Sequence, residues 1–206
     1  IFPLMILGGI IGGIFWAMIP TILKIKFNTN EILVSLMLVY VAEQILALAS
    51  VGFLRNPEGL GFPGSRDLSK YPSAANQELI ANSGIHLGVV FSVLAVIFLT
   101  YFLIYHRLGF QIKLIGQAPK AAKFSGVNIN YIIIFCLGLS GGLAGIAGMF
   151  ELTGPAGLIN IDFNVGYGFT AIIVAFLGRL HPVGIFFAGL LMSLTYVGGE
   201  LAQLML

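Results

Sequence analysis

The chain has 206 residues, 58% of them hydrophobic and only 9% charged, and its mean hydropathy is +1.02. Soluble domains carry about 25% charged residues, so no ordinary water-facing surface can be built from this composition and a soluble monomer is excluded. The net charge of +2 is small, and no basic run interleaved with aromatics lies on a polar face, which excludes nucleic acid as a partner.

The ionisable residues are bunched. Between them lie uncharged stretches that match the roughly 20 apolar residues needed to cross a hydrocarbon core about 30 Å thick. An integral membrane protein is expected, all-α, a polytopic transmembrane helix bundle of about six segments. Segment 1–23 is broken by Gly8, Gly9, Gly12 and Gly13 and closed by Trp16, Pro20 and Lys24. It begins at Ile1 inside an apolar run, without an initiating Met or the basic and small-residue pattern of a signal peptide. The sequence is therefore read as one transmembrane domain, 1–206, from a longer polypeptide whose N-terminal part is missing. Segment 32–54 is interrupted only by Glu43 and Gln44, and Asn30 with Glu31 opens it as a helix cap on the positive end of the dipole.

Segments 85–105 and 131–150 follow, then 163–178, which would be about 24 Å long as a helix. That falls short of the core thickness, so this piece either thins the bilayer, borrows flanking residues or re-enters without crossing. Short glycine-interrupted segments are also what transport sites are often built from. Segment 183–206 is the last and carries one charge, Glu200, which with Glu151 is expected near an external end.

Sidedness follows from lysine and arginine, which are retained on the cytoplasmic side of short loops. Loop 107–130 holds Arg107, Lys113, Lys120 and Lys123 with no acid, whereas loop 55–83 mixes three basic and three acidic residues. The first is expected in the cytoplasm and the second outside. Alternation then puts Lys24, Lys26, Arg179 and His181 inside and 151–162 outside. The external loop is punctuated by Pro57, Gly59, Gly61, Pro63, Gly64 and Pro72 without strand or helix period, so a packed cap, a docking surface and a flexible connector all stay open.

Three features bear on function. Gly138 and Gly142, and Gly141 and Gly145, stand four apart on a helix face, with Ala144 and Gly148 repeating the spacing beside them; small residues let helices approach closely in lipid. Glu43 lies near mid-membrane, where a carboxylate costs a few kcal/mol and faces either a cavity or a partner helix. Loop residues 107–126 have apolar positions at 110, 114 and 115 and at 121, 122 and 124, which predicts two short amphipathic helices separated by 116–119. A basic face with an apolar stripe suits anionic lipid or a groove on a soluble partner equally well.

Little else carries chemistry. Cys136 is the single cysteine, so no disulfide forms within the chain, and it reads as a packed small hydrophobe. His86, His106 and His181 lie at segment ends, far apart, and suggest no metal site. There is no phosphate-cradling G-x-x-x-x-G-K-[ST] loop, no Ser/His/Asp or Cys/His arrangement and no internal repeat. No enzyme activity and no cofactor are expected.

The loop, taken with "NEILVSLML" at 30–38, "SGGLAGIAGMFELTG" at 140–154 and "GYGFTAIIVAFLGRLHPVG" at 166–184, resembles the inner-membrane permease subunits of ABC importers that handle simple sugars, nucleosides and branched-chain amino acids. The likeness runs through nearly the whole chain and is strongest to simple-sugar or nucleoside permeases. It implies a multi-pass protein of the cell membrane that lines a translocation path with a second permease subunit. Substrate would be delivered by an extracytoplasmic solute-binding protein, and ATP hydrolysed by a separate cytoplasmic ABC ATPase subunit. Arg107, Gly109, Phe110, Lys113, Gly116, Pro119, Ala121, Ala122 and Gly126 would form the coupling element seated in that ATPase. Tyr40, Glu43, Gln44, Gly166, Tyr167 and Phe169 are the path candidates. Where the family often carries Asn, this chain has Val39 just before Tyr40, so that polar contact is lost or moved. Two other readings stand beside this one: a secondary transporter driven by an ion gradient, with Glu43 as its ion site, and a membrane scaffold whose basic loop recruits a partner without moving solute.

Overall fold

A computed structural model of the chain describes residues 1–57, 63–71, 73–76, 78–79, 85–161, 163 and 166–205. Among them run α1 (Phe2–Phe27), α2 (Glu31–Val51), a 3-10 turn (Leu68–Lys70), α3 (Leu87–Tyr105), α4 (Arg107–Gln117), α5 (Pro119–Phe124), α6 (Ile129–Thr153), α7 (Tyr167–Leu177) and α8 (Pro182–Met205). Helices α1, α2, α3, α6 and α8 are long and apolar enough to cross a membrane. This is the all-α, polytopic architecture that hydropathy predicts. The doubtful fifth segment is a helix of 11 residues, α7, which rises roughly 16 Å, about half the hydrocarbon core.

Two helix boundaries differ from expectation. α1 does not close at Trp16, Pro20 and Lys24 but runs through Pro20 to Phe27. Just past the proline, the Thr21 hydroxyl donates to the Ala17 carbonyl at 2.6 Å, and Lys24 and Lys26 sit in the last turn, where the negative dipole end favours cations. The gap between the loop helices is also narrower than 116–119: α4 and α5 are parted by Ala118 alone, because Pro119 is accommodated as the first residue of α5, where a missing N–H costs nothing. The cap on α2 is as predicted, with the Asn30 side chain accepting from the Ile32 N–H at 3.0 Å. Across the α1–α2 turn, Glu31 forms an ion pair with Lys24.

Contacts gather into two compact units, Ile1–Val89 with Leu114–Asn164, and Val90–Lys113 with Val165–Leu206. In the first, α1 and α6 are joined through glycine. A Cβ on Gly9 would lie 2.9 Å from the Gly145 carbonyl oxygen, and one on Gly145 would overlap the Gly9 carbonyl. Gly13 and Gly141 stand in the same mutual relation, so the helices run antiparallel with their backbones touching. Ile10 and Ile14 fill the space over Gly142, and Met18 covers Gly138. Lipid supplies no hydrophobic drive for association, so this interface rests on backbone-to-backbone van der Waals contact and Cα–H···O approach.

The same unit orders the described part of loop 55–83 by tying it to the exit of α6. Ser65 N–H donates to the Ile159 carbonyl at 2.8 Å and Ser65 Oγ accepts from the Ile159 N–H at 2.9 Å. Leu68 N–H reaches the Gly157 carbonyl and Asn76 N–H the Thr153 carbonyl, both at 2.8 Å. Asp67 caps the 3-10 turn, accepting from Ser69 N–H and Oγ, and these bonds hold its carboxyl below the usual carboxylate range. The loop is thus packed rather than a free tether over these residues. Gly59, Gly61 and Pro72, read as its punctuation, lie outside the described residues.

The glycine interface generates a paired test. Gly13→Ala drives a methyl into the Gly141 carbonyl, whereas Gly12, its neighbour, has open space around its Cβ position. Gly13→Ala is expected to destabilise the protein by roughly 1–3 kcal/mol, the range for overpacking. Gly12→Ala should be neutral or slightly stabilising, by up to about 1 kcal/mol, since alanine is the better helix former. Thermal melting of the two variants in detergent decides this; equal melting temperatures would contradict the packing account.

Candidate functional site

The basic loop begins with a corner. His106 follows α3, stacks on Phe102 with ring centroids 5.0 Å apart, and accepts the Leu108 N–H on Nδ1 at 3.1 Å, so it caps the first turn of α4. Gly109 then packs against the end of α3: a Cβ there would lie 2.8 Å from Leu103 Cα and as close to backbone oxygens of the same turn. Only glycine fits there, and its lack of a side chain lets α4 fold back against α3. The groups on offer are Arg107, Phe110, Lys113 and Gln117, all exposed and spaced to share a face of α4. Phe110 is 66% exposed.

On α5, Ala122 is completely buried, while Lys120, Ala121, Lys123 and Phe124 are exposed, Phe124 at 93%. The helix ends at Ser125, whose hydroxyl donates to the Ala121 carbonyl, and at Gly126 with φ +77, a value glycine adopts without penalty. Gly116 has open space around it and Pro119 starts α5. The nine loop residues singled out in the sequence therefore divide into packed ones, Gly109 and Ala122, and exposed ones. Gly109→Ala is expected to cost roughly 1–3 kcal/mol of stability by overpacking, and Phe110→Ala less than about 0.5 kcal/mol, as for other surface changes. Melting curves showing the reverse order would place Phe110, not Gly109, in the corner.

The path candidates fall into two sets, one in each unit. Tyr40, Glu43 and Gln44 lie on α2 at spacings that share a face, with Tyr40 and Gln44 exposed and Glu43 half-buried. Gly166, Tyr167 and Phe169 form the start of α7; Gly166 has φ +86 and gives the helix no side-chain cap.

Sequence reasoning missed what α7 faces. It is the short arm of an antiparallel hairpin with α8. Gly178 and Gly184 touch at the turn, where Arg179 and Leu180 both take left-handed backbone (φ 54 and 56), and further along a Cβ on Gly189 would meet Val174. Between the arms lies a groove of about 460 Å³ whose wall includes four hydroxyl side chains, Tyr167, Thr170, Ser193 and Tyr196. The i, i+3 pairs Tyr167/Thr170 and Ser193/Tyr196 are visible in the sequence as hydroxyls in apolar runs. That they meet depends on the hairpin register, which is not visible. Among the described residues, no three of His, Cys, Asp and Glu come close enough to hold a metal ion.

The family described as branched-chain amino acid transport system / permease component matches residues 1–205. The glucose ABC transporter permease protein TsgB13 of Haloferax volcanii is 33% identical, over 96% of this chain and 54% of that protein. The nucleoside ABC transporter permease protein NupB of Lactococcus lactis is 27% identical over 95% of this chain and 56% of its own length. The guanosine ABC transporter permease protein NupP of Bacillus subtilis is 26% identical with the same coverage, 95% and 56%. The chain thus spans about half the length of the curated relatives it matches. No solved structure matches it. With a match through 205 of its residues and five helices able to span a bilayer, the chain belongs to the permease-component family of the branched-chain amino acid transport systems and is a multi-pass membrane protein.

Proposed function

We propose that the protein containing this chain is the transmembrane permease subunit of an ATP-driven ABC importer and forms the translocation path for a small polar solute, a simple sugar or nucleoside. The observation that carries the reading is the family match over 1–205, joined to relatives whose names specify glucose, nucleoside and guanosine permeases. The chain holds no phosphate-binding loop of the G-x-x-x-x-G-K-[ST] type, so the hydrolysing chemistry belongs to a separate cytoplasmic ATPase subunit. A second permease subunit completes the path, and an extracytoplasmic binding protein delivers the solute.

The coupling step is mechanical. The exposed face of α4, with Arg107, Phe110 and Lys113, offers an aromatic anchor beside cations that a cleft on a soluble partner can grip, and α5 separately exposes Lys120 and Phe124. ATP-driven closure of the partner would pull on α4 through its packed corner at Gly109. Helices whose backbones touch, like α1 and α6, move as rigid bodies and not by bending, which suits alternating access to the two sides. Glu43, held at mid-helix on α2, would contribute a polar contact along the path.

Uptake into vesicles reconstituted with all subunits tests the reading. Solute accumulation should stop when ATP is depleted and continue when a protonophore collapses the ion gradient. Uptake that survives ATP loss and dies with the gradient would instead favour a secondary transporter using Glu43, and absence of flux with every partner present would favour a scaffold. Phe110→Asp should reduce capture of the ATPase subunit by about thirtyfold or more without altering insertion, since an interface anchor is worth about 2 kcal/mol or more. Undiminished capture would remove α4 from the docking surface. Glu43→Gln should change uptake kinetics while the protein still folds; unchanged kinetics would leave it a structural role alone.

A further inference from the structure

The α7–α8 groove combines three properties that neither helix needs for packing. It lies at mid-depth: Ser193 is 11 residues from one end of the Pro182–Gln203 span and 10 from the other, and Tyr196 is one turn further along. It carries hydroxyl-bearing side chains where lipid offers none, since Tyr167, Thr170, Ser193 and Tyr196 line a wall that is otherwise largely apolar. It is also open, with Tyr167 at 52% and Tyr196 at 44% exposure. A phenol facing hydrocarbon has nothing to hydrogen-bond, and the Tyr196 hydroxyl meets no partner among the described residues. Ser193 Oγ donates to the Leu190 carbonyl at 2.8 Å, which uses its proton and leaves its lone pairs available as acceptors.

We propose that this groove is a midplane resting site for an uncharged, ring-shaped solute bearing several hydroxyl groups, with the Tyr167 and Tyr196 rings against the solute ring and Ser193 and Thr170 bonding its hydroxyls. The proposal rests on the transport reading above and narrows it. Its volume of about 460 Å³ falls in the roughly 300–1,000 Å³ range of small-molecule pockets. Its wall mixes hydroxyl-bearing side chains with apolar ones such as Val174, Met192 and Val197. None of the lining residues carries a charge at neutral pH, so a zwitterion would bring an ammonium group to a site that has no carboxylate, and a buried charge without a partner is costly. The lining therefore selects against amino acids and for polyhydroxylated neutral rings. Short broken helices that end at mid-depth are a recurrent way to build such sites.

Two measurements on the full permease complex, with its ATPase and binding protein, separate the site from the transport reading. In a background with every native cysteine of the full permease, Cys136 included, replaced by alanine, Ser193→Cys should react with a membrane-impermeant methanethiosulfonate if the groove is a water-filled site; a residue facing lipid or packed protein would stay unlabelled, and that result overturns the site even if wild-type uptake is normal. In reconstituted vesicles supplied with radiolabelled glucose, guanosine or leucine, the wild type should take up glucose or guanosine but not leucine. Ser193→Leu, which fills the groove, should cut uptake at least tenfold, and Tyr196→Phe, which keeps the ring and removes one hydroxyl, about threefold. Uptake within twofold of wild type in both variants, or ATP-driven leucine uptake, overturns the proposal. A wild-type complex that moves none of the three solutes with ATP overturns the transport reading together with it.

Discussion

Everything distinctive about this chain follows from its solvent. A bilayer neither hydrogen-bonds a free backbone group nor pushes apolar helices together. Helices of this protein are held by close geometric fit, and the α1–α6 contact shows the extreme of it, with Gly9, Gly13, Gly141 and Gly145 bringing carbonyls of one helix against the Cα atoms of the other. Such a contact tolerates no added methyl and has no soft intermediate positions.

The functional candidates lie at places where elements are short, capped by turns or exposed. At one, Gly109 and His106 turn α3 sharply into α4 and leave a cationic, aromatic face outward. At another, α7, whose rise is about half the hydrocarbon core, doubles back into α8 through a turn that places Arg179 and Leu180 in left-handed backbone, an uncommon state for residues with side chains. The first feature suits force received from a soluble subunit, the second a polar solute held away from lipid.

The spans were legible because a long apolar run has only one stable conformation in lipid, and the Asn30 cap was legible because its chemistry is local. The shortness of α7 followed from counting residues. The end of α1 was not legible: charge at Lys24 marks where the membrane ends, not where the helix does, and a lysine in the last turn favours continuation. For the same reason, the loop helices approach each other to within one residue, a proline being harmless at a helix start. Gly109 looked like part of a binding motif, yet its packing requirement is set by Phe102 and Leu103, which lie in the preceding span. The hydroxyl groove escaped notice because Tyr167 and Tyr196 are 29 positions apart and are brought together only by the register of a tight turn.

The account depends most on α4 and α5 lying on the ATP-bearing side of the membrane. A membrane-impermeant amine reagent, applied to right-side-out and to inside-out vesicles and followed by peptide mapping, measures this directly. Modification of Lys113 and Lys120 in inside-out vesicles alone is the predicted result. Modification of either lysine from the outside of sealed right-side-out vesicles would put the loop beyond reach of any cytoplasmic ATPase and contradict the mechanism at its root.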